Sequence, residues 1–176
     1  MKETGLIHIY CGDGKGKTTA AVGLAVRHAG AGGKVVLAQF LKDGTSSECR
    51  ALAKLENVTM LAANPCSKFS FQMTGEEKQE CRAAIGRTFA AATGFAVREG
   101  ATLLVLDEVC AALSCGFLAE DEVLAFLDGK PDELEVVLTG RNPSEGLQAR
   151  SDYITEMVKR RHPFDKGVGA RKGIEL

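Results

Sequence analysis

The sequence predicts an α/β protein, a mostly parallel sheet with helices on both faces, built as a single domain over residues 1–176. Three observations carry that expectation. Short runs of apolar, often β-branched residues recur along the chain, as strands buried on both faces of a parallel sheet require. Segments with helix start and stop signals separate those runs. The first run ends directly in a glycine cluster, at the carboxyl edge where open α/β sheets receive their ligands.

The elements follow in order. Leu6 to Cys11 reads as a buried strand that stops at Gly12, and Thr18 to Ala29 as a buried helix closed by Gly30-Ala31-Gly32-Gly33. Lys34 to Phe40 is the second strand, Ser46 to Leu55 a helix with a serine cap, and Val58 to Leu61 the third strand. Asn64-Pro65 opens an irregular stretch through Met73. Thr74 with Glu77 then makes a capping box for a long helix that runs to about Glu99. Thr102 to Leu106 is a fully apolar strand ending in Asp107-Glu108. A helix at Glu120 to Leu127 precedes a strand at Glu135 to Thr139, Asn142-Pro143-Ser144-Glu145 caps another helix, and Tyr153 to Val158 is the last strand.

Composition excludes several classes. The chain of 176 residues is 45% hydrophobic and 26% charged, with a mean hydropathy of -0.03, which is ordinary globular usage and neither disordered nor fibrous. Lys and Arg number 22 against 23 Asp and Glu, a net charge of -1. No bulk field draws a nucleic acid, so an anion must be held locally. No apolar run approaches the roughly 20 residues that span a bilayer, and the first residues lack a signal peptide's pattern, so a cytoplasmic protein with no membrane association is expected. Six cysteines, at 11, 49, 66, 81, 110 and 115, show no CxxC or zinc-ligand spacing, and are expected to be reduced, mostly core residues.

The strongest local signal is Gly12-Asp13-Gly14-Lys15-Gly16-Lys17-Thr18-Thr19, set between a strand and a helix. Glycines there let successive backbone N–H groups face phosphate oxygens, and the helix N-terminus adds partial positive charge. Lys17 can reach the phosphates, and the Thr18 hydroxyl can ligate Mg²⁺. The common pattern would place glycine at position 11, where this chain has Cys11. Asp107-Glu108 ends an apolar strand, which suits a helix N-cap as well as a metal site. Next to the loop, the pair points to Mg²⁺ or its waters, or to Glu108 as a general base. Arg141 follows the strand ending at Thr139, with phosphate contact and a surface ion pair as equal readings. Phe69 and Phe71 read from pattern alone as core plugs, and the stretch from His162 to Leu176 reads from composition alone as a flexible basic end.

Taken together and in this order, the motifs resemble the ATP:corrinoid adenosyltransferases, a P-loop family that attaches a 5′-deoxyadenosyl group to cobalt. The matching residues are GDGKGKTTAA from Gly12 to Ala21, Arg27, Ala38 to Lys42, LDEV from Leu106, Leu138 to Arg141 and HPFDKGVGARKGIEL from His162. The shortened loop is the family's own form and the closing run its most specific signature. Phe69 and Phe71 fall on an aromatic pair of the family, one position of which is often tryptophan.

The resemblance implies a P-loop NTPase-like (RecA-like) fold, with ATP and a reduced corrinoid as substrates, Mg²⁺, an electron donor for cobalt, and a homodimer. It implies ATP contacts from Gly12 to Thr19, Arg27 and Arg141, and metal ligation by Thr18, Asp107 and Glu108. Catalytic roles fall to Lys17 and Glu108 and, through displacement of the lower axial base, to Phe69 and Phe71. Some members carry an N-terminal extension over the site; here the first strand begins at about Leu6. The competing readings are a P-loop ATPase or small-molecule kinase, which would release phosphate or ADP rather than triphosphate, and an ATP-gated corrinoid carrier without turnover.

Overall fold

The computed structural model describes residues 4–62 and 70–175. Within them lies one six-stranded sheet, wholly parallel, in the order β3-β2-β4-β5-β1-β6. The strands are β1 (Ile7–Cys11), β2 (Val35–Gln39), β3 (Val58–Ala62), β4 (Leu103–Asp107), β5 (Glu135–Thr139) and β6 (Tyr153–Glu156). The helices are α1 (Lys17–Gly30), α2 (Ser47–Leu52), α3 (Gly75–Arg98), α4 (Val109–Ser114), α5 (Glu120–Gly129) and α6 (Glu145–Ala149).

Alternation along the strands sorts the core into two layers, because successive side chains leave a strand on opposite faces. Ile9, Val36, Leu104, Leu106, Val136 and Leu138 face one side, packed with Ile85 and Phe89 of α3 and Val109 of α4. Leu37, Val105 and Val137 face the other, against Ala21, Ala25 and Ala29 of α1 and Leu52 of α2. The alanines at four-residue spacing give α1 a shallow face, so the helix that starts at the glycine loop lies close on the sheet. In α3 the stripe Cys81, Ile85, Phe89, Ala92, Ala96 is buried. Its start is the expected capping box, with both Thr74 and Glu77 bonds formed.

Three local expectations are corrected. The helix expected from Ser46 to Leu55 spans only Ser47–Leu52, and the Ser46 side chain makes no capping bond. The helix α4 has no counterpart in the sequence reading. Its N-cap residue, Glu108, takes the left-handed conformation and makes no side-chain cap bond, so no start signal is written there. Finally, Cys81 is disulfide-bonded, against the expectation of reduced thiols, whereas Cys11, Cys49, Cys110 and Cys115 are free.

Candidate active site

The site lies at the carboxyl edges of β1, β4 and β5, the neighbouring strands at the centre of the sheet. Gly12 and Gly16 have φ values of 101° and 122°, which only glycine adopts without strain. Gly14 is needed for a different reason. The strand β6 continues past Glu156 beside the loop, with Met157 N donating to Cys11 O at 2.8 Å and Gly14 N donating to Met157 O at 2.6 Å. A Cβ on Gly14 would lie 2.6 Å from that carbonyl oxygen. Asp13 completes the tie, its Oδ1 accepting from Lys159 N at 2.9 Å, and that bond draws the Asp13 carboxyl below its usual range.

Lys17 is 9% exposed, and its Nζ donates to the carbonyls of Gly12 and Gly14, both at 2.8 Å. Beside it, the Thr18 hydroxyl donates to Asp107 Oδ1 at 2.9 Å. Asp107 is 1% exposed and fully partnered: Thr139 Oγ1 donates to Oδ1 at 2.8 Å, Gln39 Nε2 to Oδ2 at 3.4 Å, and Lys42 Nζ lies 3.4 Å from Oδ2. Gln39 also donates to Glu48 Oε1 at 3.0 Å and accepts from the Cys49 thiol at 3.3 Å. Burial works against charge on Lys42, but Asp107 and Glu48 outweigh it and raise its pKa. Asp107 is therefore a buried charge held by a built set of partners.

Glu108 is the contrasting half of the acidic pair. Its φ is 63°, its N–H is held by Thr139 Oγ1 at 2.8 Å, and its side chain lines the cleft above the loop. Burial, followed by repulsion from Asp107, raises its carboxyl pKa. A non-glycine residue in the left-handed region with a disfavoured charge is a strained position, and such positions cluster where function holds them.

The cleft has a volume of about 580 Å³. The loop from Asp13 to Thr19 lines it together with Lys42, Glu48, Glu108 and Arg141. Gly12 stands behind as the carbonyl partner of Lys17. Arg27 is not in the lining; it sits in the third turn of α1, near enough to Tyr10 to act on its phenol. Phe69 lies outside the described residues, and Phe71 belongs to a single 3₁₀ turn, Ser70–Gln72.

Gln39, Lys42, Glu48 and Thr139 had appeared in the sequence only inside matched runs or predicted elements, with no role. The closing segment is corrected more strongly. Composition read it as a flexible end, yet His162, Gly173, Ile174 and Glu175 line the cleft. It carries a 3₁₀ turn at Pro163–Lys166, and Arg171 grips Glu175 through Nη2 at 3.0 Å and Nε at 3.1 Å.

No helix among the described residues is long and apolar enough to cross a membrane. Residues 3–176 match the profile of a family described as ATP:corrinoid adenosyltransferase BtuR/CobO/CobP. A corrinoid adenosyltransferase of Pseudomonas aeruginosa is 33% identical over 99% of this chain and 85% of its own length. One from Escherichia coli K12 is 30% identical over 98% and 86%. Among solved structures, the chain resembles EssC (ATPases 2 and 3) from Geobacillus thermodenitrificans with a TM-score of 0.52 at 14% identity, covering 97% of this chain and 36% of that one. It also resembles the KaiC-like protein PH0186 of Pyrococcus horikoshii, with a TM-score of 0.51 at 17% identity over 90% and 75%. Those two likenesses bear on the fold alone, a RecA-like P-loop architecture. The family match over nearly the full length, together with relatives at 30% identity and above, is what names the chemistry: this chain belongs to the ATP:corrinoid adenosyltransferases, enzymes that adenosylate corrinoids with ATP.

Proposed function

We propose that the chain, as one domain, transfers the 5′-deoxyadenosyl group of ATP to the cobalt(I) of a corrinoid, with the loop from Gly12 to Thr19 holding the leaving triphosphate. The observation that supports this most is the convergence of Lys17, Thr18 and Glu108 on one cleft, with the buried Asp107 carboxylate directly behind Thr18. In the reaction, cobalt(I) donates its electron pair to C5′, a cobalt–carbon bond forms, and the carbon–oxygen bond breaks with its pair leaving on the triphosphate. No proton moves at carbon, so the protein needs no acid or base there. It needs alignment, and it needs charge to meet the departing anion. Lys17 meets it by exchanging its bonds to Gly12 and Gly14 for bonds to phosphate, supported by the loop N–H groups, Lys15 and Arg141.

The residues present fit Mg²⁺. No group of three acidic, histidine or cysteine side chains stands ready among the described residues. That ion needs only one or two hard protein oxygens besides phosphates and water, and the Thr18 hydroxyl and Asp107 carboxylate offer them, with Glu108 beside them. Bound there, it would neutralise charge on the triphosphate. On family likeness we extend the reading to a cytoplasmic homodimer served by an electron donor. The direct test is anaerobic incubation with ATP, Mg²⁺ and chemically reduced cobalamin. Adenosylation seen by absorbance, with release of intact triphosphate, supports the reading; release of phosphate or ADP refutes it.

Two variants probe the finer assignments. Glu108→Gln is expected to require more Mg²⁺ for half-maximal activity while raising Tm by roughly 1–3 °C at pH 7.5. The sign follows from the raised pKa: a carboxyl that ionises less readily when folded costs stability above its unfolded pKa and costs none once pH falls below it. The gain in Tm should therefore vanish near pH 4, and an unchanged Mg²⁺ titration would remove Glu108 from the metal's surroundings. Phe69→Ala and Phe71→Ala are expected to damage reactions started from cobalt(II) at least tenfold more than those started from cobalt(I), since an apolar face against the corrin eases reduction by excluding the axial ligand. Equal losses in both assays with a large fall in Tm would instead mean packing, at about 3–5 kcal/mol for a buried Phe.

A further inference from the structure

A carboxylate accepts about four hydrogen bonds, two on each oxygen, and among the described residues four donors meet that of Asp107. Thr18 and Thr139 donate to Oδ1 at 2.9 and 2.8 Å. Gln39 Nε2 and Lys42 Nζ face Oδ2, each at 3.4 Å. A cation drawn to this carboxylate, directly or through its water, therefore has to displace one of them, and three of the four are held. Thr139 and Gln39 are fully buried. Gln39 stands opposite Asp107 in the register of β2 and β4, and its amide is pinned at both ends, donating to Glu48 Oε1 at 3.0 Å and accepting from the Cys49 thiol at 3.3 Å. Thr18 has no need to leave, because a hydroxyl oxygen that ligates a cation still has its proton to donate.

Lys42 is the donor free to go. It stands on the connection between β2 and α2, its side chain is 30% exposed, and it lines the cleft together with the phosphate loop. A flexible four-carbon stem with rotatable protons lets it change partners without moving the backbone. We propose that Lys42 is an exchangeable cation of this site: it rests on Asp107 and Glu48, and when Mg²⁺ and ATP bind together it gives up Asp107 Oδ2 and carries its charge to the triphosphate. The inference rests on the loop and Asp107 serving the triphosphate and Mg²⁺, and gives a role in that reaction to a further residue. Glu48 is the positioning residue of the exchange. Its Oε1 accepts from Lys42 at 3.2 Å and from Gln39 at 3.0 Å, and it lines the same cleft, so it keeps the ammonium within reach of both places. The exchange makes the two ligands depend on each other. A metal ion alone must displace a lysine that has no phosphate to turn to, and ATP alone must draw the lysine from two carboxylates. Bound together, each lowers the other's cost, which is a coupling free energy between two ligands of one cleft.

Binding to the full chain tests the proposal, with Mn²⁺ alone followed by electron paramagnetic resonance and ATP followed by calorimetry, once in Mg²⁺ and once in EDTA. Lys42→Met is expected to bind Mn²⁺ alone about tenfold more tightly than wild type, since the competing charge on Asp107 is gone. The same variant is expected to lose about tenfold or more in affinity for ATP with Mg²⁺, and about threefold or less for ATP in EDTA. A lysine acting as a fixed charge gives the reverse order, because ATP without metal carries the greater negative charge. Glu48→Gln, which loosens the resting place of the lysine, is expected to tighten ATP in EDTA by about threefold. General damage to the site would weaken every ligand in both variants, so the tighter Mn²⁺ and the tighter ATP also show that the variants are folded. A loss in EDTA equal to or greater than that in Mg²⁺, an Mn²⁺ affinity unchanged by Lys42→Met, or weaker ATP in EDTA for Glu48→Gln overturns the proposal. Failure of the underlying loop assignment has a different signature: Lys17→Ala would then leave ATP binding untouched with and without Mg²⁺.

Discussion

Lys17→Ala is expected to lower adenosylation by a hundredfold or more while the chain remains folded, with Tm reduced by only about 2–4 °C. The two effects come from separate roles of one ammonium. In catalysis it is the principal side-chain charge brought to the leaving triphosphate. Removing a preorganised donor aimed at developing charge costs about 10²–10³ in rate. In the fold it ties the carbonyls of Gly12 and Gly14 across the loop at 2.8 Å. A solvent-facing loop lysine would leave Tm untouched, but a side chain 9% exposed does not. The loop carbonyls can turn to water once the lysine is gone, which limits the penalty to about 1 kcal/mol, or 2–4 °C in a chain of this size. Activity and thermal melting on the same preparation check the expectation. Turnover within threefold of wild type would remove Lys17 from the phosphates.

What the sequence made legible and what it hid follow a physical line. The loop was legible because its parts are contiguous, and its chemistry is written in eight successive residues after a strand. Asp107 was legible because a carboxylate after the four apolar residues Leu103 to Leu106 has no reason to be there but the sheet edge. The partners of Asp107 were hidden. Gln39 and Thr139 reach it across separations of 68 and 32 residues, and no local pattern records that β2 and β5 flank β4. The helix α4 was hidden because its start relies on the left-handed Glu108 and not on a capping side chain. The closing segment misled by composition, since glycines and basic residues describe a free end equally well. The run that leads into it is tied to the loop by the backbone of Met157 and Lys159, and bonds made by backbone groups leave little trace in residue type. Arg27 shows the converse: a matched motif residue can stand outside the cleft that its neighbours line.

Asp107→Asn is expected to abolish measurable adenosylation and to lower Tm by roughly 6–12 °C, although the two side chains are nearly the same shape. The reason lies in which atoms donate. Oδ1 accepts from Thr18 and Thr139, which an amide oxygen can still do. Oδ2 faces Gln39 Nε2 and Lys42 Nζ, so the new NH₂ group would confront two donors. Turning the Gln39 amide over would relieve one clash but forfeit its bonds to Glu48 and from the Cys49 thiol. Turning the introduced amide over instead moves the conflict to the two threonines, which would each need a new acceptor. Every orientation leaves a buried polar group unsatisfied, and among the described residues Lys42 keeps only Glu48 as an ionic partner. Breaking a buried pair from one side costs about 3 kcal/mol or more, which sets the fall in Tm. Activity is lost for a different reason, because the residue beside Thr18 no longer offers an anionic oxygen to a cation. The two losses separate in the double variant Asp107→Asn with Lys42→Met. Removing the lysine takes away one of the confronting donors and should recover much of the Tm without recovering activity. Recovery of both together would mean that Asp107 serves only to hold Lys42, and that the metal is bound elsewhere in the cleft.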